Sequence, residues 1–174
     1  AQTVLNFSRD YDLNICRAMA IRYFAGLRTI ETERIEEKFI REKFIKVTRD
    51  VSKGGRARKP RIITIQPNLR EWLNLGGELP VRGCKSNIWR DFTEALRRAT
   101  GLVWTDNVTR HSFCSYHLAR FEKPGKTALE SGHTEQILFS NYREVETPDG
   151  QLVTVHLARK YFSITPKVIP NALQ

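Results

Sequence analysis

Two short stretches constrain this chain more than any other feature. KFIKVTR (43–49) and RIITIQ (61–66) alternate in polarity and are rich in β-branched residues, the pattern of half-buried strands. Between them lies VSKGGRARKP, glycine-rich and strongly basic, which reads as a long hairpin tip. Strands joined this way pair antiparallel. Apart from a turn and strand expected at 148–156 (PDGQLVTVH), the regular structure in the rest of the chain reads as helix.

Helices are expected at 1–8 and from Asp12, a suitable N-cap, to about Ala25, with Gly26 as the stop. Ile15, Met19 and Phe24 give the second of these an apolar face. A short helix capped by Thr29 runs through Ile35, and others cover about 68–75, 87–99 and 107–121, the last capped by Asp106. Pro124-Gly125 is read as a break, short helices at 126–131 and 134–142 flank Gly132-His133, and a last helix covers 157–163. The fold class is therefore α+β, mostly helical, a single domain over 1–174 with one small antiparallel sheet.

Composition bounds the partners. With 174 residues and 40% of them hydrophobic, the chain can bury a real core. No apolar run is long enough for a transmembrane helix, and the N-terminus does not read as a signal peptide. Lys and Arg outnumber Asp and Glu by 29 to 19, so a polyanionic partner is expected, nucleic acid before an anionic membrane surface. The three cysteines, Cys16, Cys84 and Cys114, are too few and too scattered for a disulfide framework. Cys114 and His117 have a spacing found in zinc sites, but further ligands at suitable spacing are missing, so no metal is expected.

Five places could carry chemistry. Arg28, in Gly26-Leu27-Arg28-Thr29-Ile30-Glu31, sits between two helices, where a guanidinium can clamp a phosphate with Glu31 holding it one turn on. Lys53, Arg56, Arg58, Lys59 and Arg61 put five cations in nine residues at the hairpin tip, enough to grip a DNA backbone. Asn107-Val108-Thr109-Arg110-His111 opens a helix, so Arg110 and the helix N-terminus could face one anion. Gly132-His133 and, nine residues on, Tyr142 complete the set. Each alone has a plain structural reading: a surface ion pair, a solvated turn, a core histidine, a packed tyrosine.

In this order and at these separations, the set resembles the tyrosine recombinase or phage integrase family over about residues 1–145, with Arg110 to Tyr142 carrying most of the likeness. The resemblance implies the catalytic core of a DNA breaking-rejoining enzyme. Arg28 and Arg110 would be the phosphate-clamping arginines, Lys53 the hairpin lysine, His133 the histidine of the Gly-His motif, Tyr142 the nucleophile and Glu31 the acidic support. It also implies double-stranded DNA as partner, self-association on DNA up to a tetrameric synapse, no cofactor, a cytoplasmic, nucleoid-associated setting in a bacterium or phage, and an N-terminal DNA-binding domain that is not expected within residues 1–174. The pattern departs at Asn107, where the family usually has histidine; asparagine can hydrogen-bond a phosphate or tyrosine oxygen but cannot take a proton near neutral pH, which leaves the general base open, with His111, His133 or water as candidates. A DNA-binding module without turnover, a type IB topoisomerase and an RNA-binding protein are the rival readings. The segment Ala158–Thr165 carries Tyr161, Phe162 and Ile164, which want a groove, either a neighbouring protomer's or the chain's own.

Overall fold

A computed structural model describes residues 1–52, 59–81, 87–142 and 152–167, with Tyr142 described in its backbone alone. Among these residues the chain is mostly helical, with one two-stranded antiparallel sheet, as the sequence pattern predicts. The helices are α1 (Gln2–Tyr11), α2 (Leu13–Phe24), α3 (Thr29–Thr32), α4 (Pro67–Asn74), α5 (Ile88–Thr100), α6 (Val108–Phe121), α7 (Pro124–Ser131), α8 (Glu135–Tyr142) and α9 (Val155–Tyr161). A single 3₁₀ turn, Glu37–Phe39, precedes β1 (Phe44–Val47), and β2 (Arg61–Thr64) follows the hairpin tip. The register places Phe44 opposite Thr64 and Val47 opposite Arg61. No helix among the described residues is long and apolar enough to cross a membrane.

The centre of the molecule is α2. Asp12 caps it, its Oδ1 accepting from the Asn14 and Ile15 amides. Every residue from Ile15 to Phe24 is buried, so the single apolar face expected from Ile15, Met19 and Phe24 understates it. A helix buried on all sides is held by neighbours on all sides, and α2 packs against α1, α3, α4 and α6. The core joins Phe24 and Met19 of α2 to Trp72 of α4, Phe92 of α5, Phe113 of α6 and Ile45 and Ile63 of the sheet.

Several boundaries differ from the sequence pattern, each for a local reason. Arg28, not Thr29, occupies the N-cap of α3, and the helix ends at Thr32. Asn107, not Asp106, occupies the N-cap of α6, in the left-handed region at φ 57°. Asparagine tolerates that conformation better than most residues because its short amide bonds locally. Pro124 does not break the chain; it opens α7 at a first-turn position that needs no amide hydrogen bond. Val155 and His156, read as strand, begin α9, capped by the Thr154 hydroxyl. The turn expected at 148–151 lies outside the described residues.

The groove that Tyr161 and Phe162 require is the chain's own. α9 packs on α6; Tyr161 stacks on Tyr116 with ring centroids 4.2 Å apart and donates its hydroxyl to the Tyr23 carbonyl. Burial and the neighbouring Tyr23 push the Tyr161 phenol well above its ordinary pKa, so it remains a neutral donor.

Candidate functional site

The sequence candidates converge around α3, the start of β2 and the turn after α7. Gly26 ends the α2 turn at φ 64°, and a Cβ there would lie 2.3 Å from Phe113 Cδ1, so only glycine lets α6 approach this closely. Gly132 closes α7 at φ 68°, with the His133 amide returning to the Ala128 carbonyl. These two tight turns carry Arg28, two residues after Gly26, and His133, directly after Gly132.

Arg110 ties the turns together. It is 4% exposed on the first turn of α6; Nη1 donates to the Gly26 carbonyl at 2.7 Å and Nη2 to the Ser131 carbonyl. One guanidinium therefore fixes the backbone two residues before Arg28 and two residues before His133. Each terminal nitrogen uses one N–H on a carbonyl and keeps a second. Burial, and then the like charge of Arg28, lowers the Arg110 pKa to about 10, so it stays charged at neutral pH.

Beneath Arg28 lies a fully buried carboxylate. Glu31 accepts from Arg61 at both oxygens (3.0 and 2.6 Å), from the Arg28 amide (2.9 Å) and from Arg28 Nη1 (3.2 Å). Burial alone would raise its pKa. The Arg61 hydrogen bonds and charge, with those of Arg28, outweigh burial and hold it below its ordinary value. Arg61 is thus not on the hairpin tip, where the sequence reading groups it. It is the first residue of β2, its bidentate fork turned onto Glu31 and its Nε donating to the Glu130 carbonyl at 2.9 Å.

Above this floor opens a cleft of about 290 Å³. Arg28, Glu31, Lys59, Arg61, Gly132 and His133 line it, with Ser52 at the hairpin side. Ser52 is buried, and among the described residues its hydroxyl has no hydrogen-bond partner. His133 is half-buried, its Nδ1 3.8 Å from Cys114 Sγ. The cleft is therefore cationic at its walls, with the half-buried His133 able to meet an oxyanion.

Not every candidate reaches it. Arg110 lies behind the wall. Asn107 and His111 are exposed, and Asn107 borders a different cleft with Arg22, Trp89 and Trp104. α8 begins just after the His133 turn and ends at Tyr142, whose side chain lies outside the described residues. Lys53, Arg56, Arg58 and Cys84 also lie outside them. Compared with protein-family models, with curated proteins and with solved structures, the chain matches none.

A second buried network escapes sequence reading. His117 Nδ1 meets the Thr127 hydroxyl at 2.7 Å, and its Nε2 lies 3.3 Å from Glu130 Oε2, near enough for attraction but not aligned as a hydrogen bond. Glu130 Oε1 accepts from Thr64 at 2.8 Å. Burial would raise the Glu130 pKa; His117, Thr64 and Lys126 bring it below its ordinary value. The network fastens α7 to α6 and β2, and so fixes the turn that presents His133. Cys114 and His117, three apart in sequence, face different partners.

Proposed function

We propose that this chain is the catalytic domain of a tyrosine recombinase, which cleaves and rejoins DNA strands through a 3′-phosphotyrosyl intermediate. The observation that carries the reading is the pinning of two distant turns by Arg110. It brings Arg28 and His133, 105 positions apart in the chain, to one cationic cleft, with Ser52 and Lys59 on its other wall.

In this reading a backbone phosphate enters the cleft. Tyr142 attacks phosphorus, the bond to the 5′-oxygen breaks, and a 3′-phosphotyrosine forms with the phosphate's bond energy retained. A free tyrosine hydroxyl has a pKa of about 10, so its activation depends on nearby positive charge or a base. Arg28 and His133 donate to the non-bridging oxygens, and Arg110 adds a buried charge beneath them. Lys53 supplies the proton for the leaving 5′-oxygen; Lys59, on the cleft wall, adds a further cation. Glu31 and Arg61 keep Arg28 in place. Asn107 offers hydrogen bonds but no base, so His133, which lines the cleft, is the candidate to take the Tyr142 proton.

A DNA-binding module without turnover is the second reading, favoured by the position of Asn107 on a different cleft from His133. Supercoiled DNA separates the readings. A recombinase leaves nicked product with protein attached at the 3′ end after denaturation. Tight binding without an attached product selects the binding module. Relaxation with no strand joining between two duplexes selects a type IB topoisomerase.

A further inference from the structure

Two arginines lie buried on α2, and their surroundings differ. Arg17 donates to both carboxylate oxygens of Glu37 at 2.9 and 2.8 Å and to the carbonyls of Leu73 and Gly76. Arg22 is 4% exposed and has no hydrogen bond or ion pair among the described residues; its Nε is buried without a partner. Its guanidinium carbon lies 5.1 Å from the Trp89 ring centre and 5.8 Å from that of Trp104. Glu33 attracts it from beyond ion-pair distance and instead accepts from Trp89 Nε1 at 3.1 Å. Burial lowers the Arg22 pKa to about 10, which leaves the charge in place at neutral pH. A guanidinium held between two aromatic rings, charged and unmatched, costs stability unless something else meets it.

What meets it must come through the cleft that Arg22 borders with Thr29, Trp89, Arg90, Thr93 and Trp104, about 290 Å³ in volume. Asp106 and Asn107 stand at its edge. The cleft is not isolated. Thr29 follows Arg28 directly, and Arg28 lines the cleft described above. On the other side, Thr93 and Trp104 are shared with a groove that carries Arg97 and Arg98. Cations thus line this cleft and the groove that shares Thr93 and Trp104 with it, where Glu94 offsets part of the charge of Arg97 and Arg98, and the Arg28 cleft follows one residue away along the chain. A lone small anion needs one of them; a linear polyanion with regularly spaced charges fits the series.

We propose that the Arg22–Trp89–Trp104 cleft is a second phosphate site, which holds a phosphodiester of the same polynucleotide strand beside the one at Arg28 and His133. Arg22 binds the phosphate with its planar fork, the two tryptophan rings keep the guanidinium flat and dry, and the Thr29 and Thr93 hydroxyls lie on the walls. Asp106 and Glu33 oppose an anion placed on their side, which confines the phosphate to the Arg22–Arg90 side. The identity of the ligand rests on the nucleic-acid reading above; the anion site itself does not.

Tryptophan emission reads the site, because Trp72 is fully buried and hydrogen-bonded to the Ile164 carbonyl and so gives a constant background. The full chain is titrated with a short DNA duplex and, separately, with inorganic phosphate, as wild type, Arg22→Met, Arg22→Lys and Arg28→Ala. Duplex is expected to change wild-type and Arg28→Ala emission, and the change is lost in Arg22→Met. The log–log salt slope of binding falls by about 0.9 in Arg22→Met, one phosphate contact, and is kept in Arg22→Lys. Arg22→Met is expected to melt no lower than wild type, whereas Arg17→Met melts lower. An Arg22→Met chain that binds duplex with the wild-type slope and the wild-type emission change overturns the proposal. So does unfolding by Arg22→Met together with a lowered slope in the folded Arg22→Lys chain. If wild type binds no duplex, the recombinase reading fails. A phosphate response that depends on Arg22 would then leave an anion site and overturn its assignment to a polynucleotide.

Discussion

The floor of the Arg28 cleft and the cleft around Arg22 use the same side chain in opposite ways. At the floor, Arg61 and Arg28 converge on Glu31, and the carboxylate is satisfied by four hydrogen bonds. Around Arg22 the guanidinium meets two ring faces and, among the described residues, no hydrogen-bond acceptor. In one place positive charge is spent on holding the fold; in the other it is kept in reserve. Net charge therefore overstates what this surface offers a polyanion, because Arg17, Arg61 and, in part, Arg28 and Arg110 are already engaged. The cations left for a ligand are fewer and better placed.

Removing the floor's carboxylate breaks the comparison most severely. Glu31→Gln leaves Arg61 facing a neutral amide in a buried site, and breaking such a pair costs about 3–5 kcal/mol. Urea unfolding measures it; a loss under about 1 kcal/mol would show that the floor is not a structural pair. The cost should depend on pH. Glu31 and Glu130 both have folded pKa values below the ordinary 4.5, so their contribution is present above that value and is lost as pH falls through the lowered folded values. The acid limb of the stability profile is expected to flatten in Glu31→Gln, and an unchanged limb would assign acid lability elsewhere.

Next in size is Gly26→Ala. The added Cβ meets the Phe113 ring in a left-handed backbone, which together cost about 2–4 kcal/mol. Gly76→Ala, at φ 103° with nothing within 4 Å of the added carbon, isolates the backbone part at about 1–3 kcal/mol. Equal losses in the two would mean that α6 yields at Phe113 and that the Arg28 turn is not rigidly seated. The smallest effects separate the cations. Lys59→Ala is expected to leave the melting temperature unchanged and to lower the DNA salt slope by about 0.9, as Arg22→Met does. Arg61→Ala is expected to lose stability first, by leaving Glu31 underpaired; a lowered slope at unchanged stability would return Arg61 to the ligand side.

Much of the fold can be read from the sequence where local chemistry decides it. Alternation marks β1 and β2, Asp12 and Gly26 bound α2, and Gly101 closes α5. The Arg28–Glu31 pair follows from its spacing on a helical turn. What fails locally is decided by tertiary packing. Nothing near Arg61 says which way a strand's first residue turns; the buried Glu31 settles that from thirty positions away. Arg22 looks like an intrusion on an apolar helix because the pattern shows one face, while α2 is enclosed on all sides. Glu130 carries no sequence signal, and the one signal at His117, its spacing from Cys114, points to a metal site rather than to the Glu130 network. The Asn107 conformation depends on a backbone angle that neighbouring residues do not announce.

The central claim is covalent chemistry at Tyr142, and a nicked suicide duplex tests it most directly, because loss of the small released fragment traps the attached protein. Wild type is expected to accumulate a denaturation-resistant 3′ adduct. Tyr142→Phe removes one hydroxyl and is expected to bind the duplex as before, with adduct at background. Arg110→Ala releases the two turns that carry Arg28 and His133 and leaves two buried carbonyls unpaired, so it is expected to lower the melting temperature and to leave only a trace of adduct. Adduct formed by Tyr142→Phe at the wild-type level would show that another residue attacks, and absence of adduct in wild type under conditions of full binding would contradict strand cleavage by this chain.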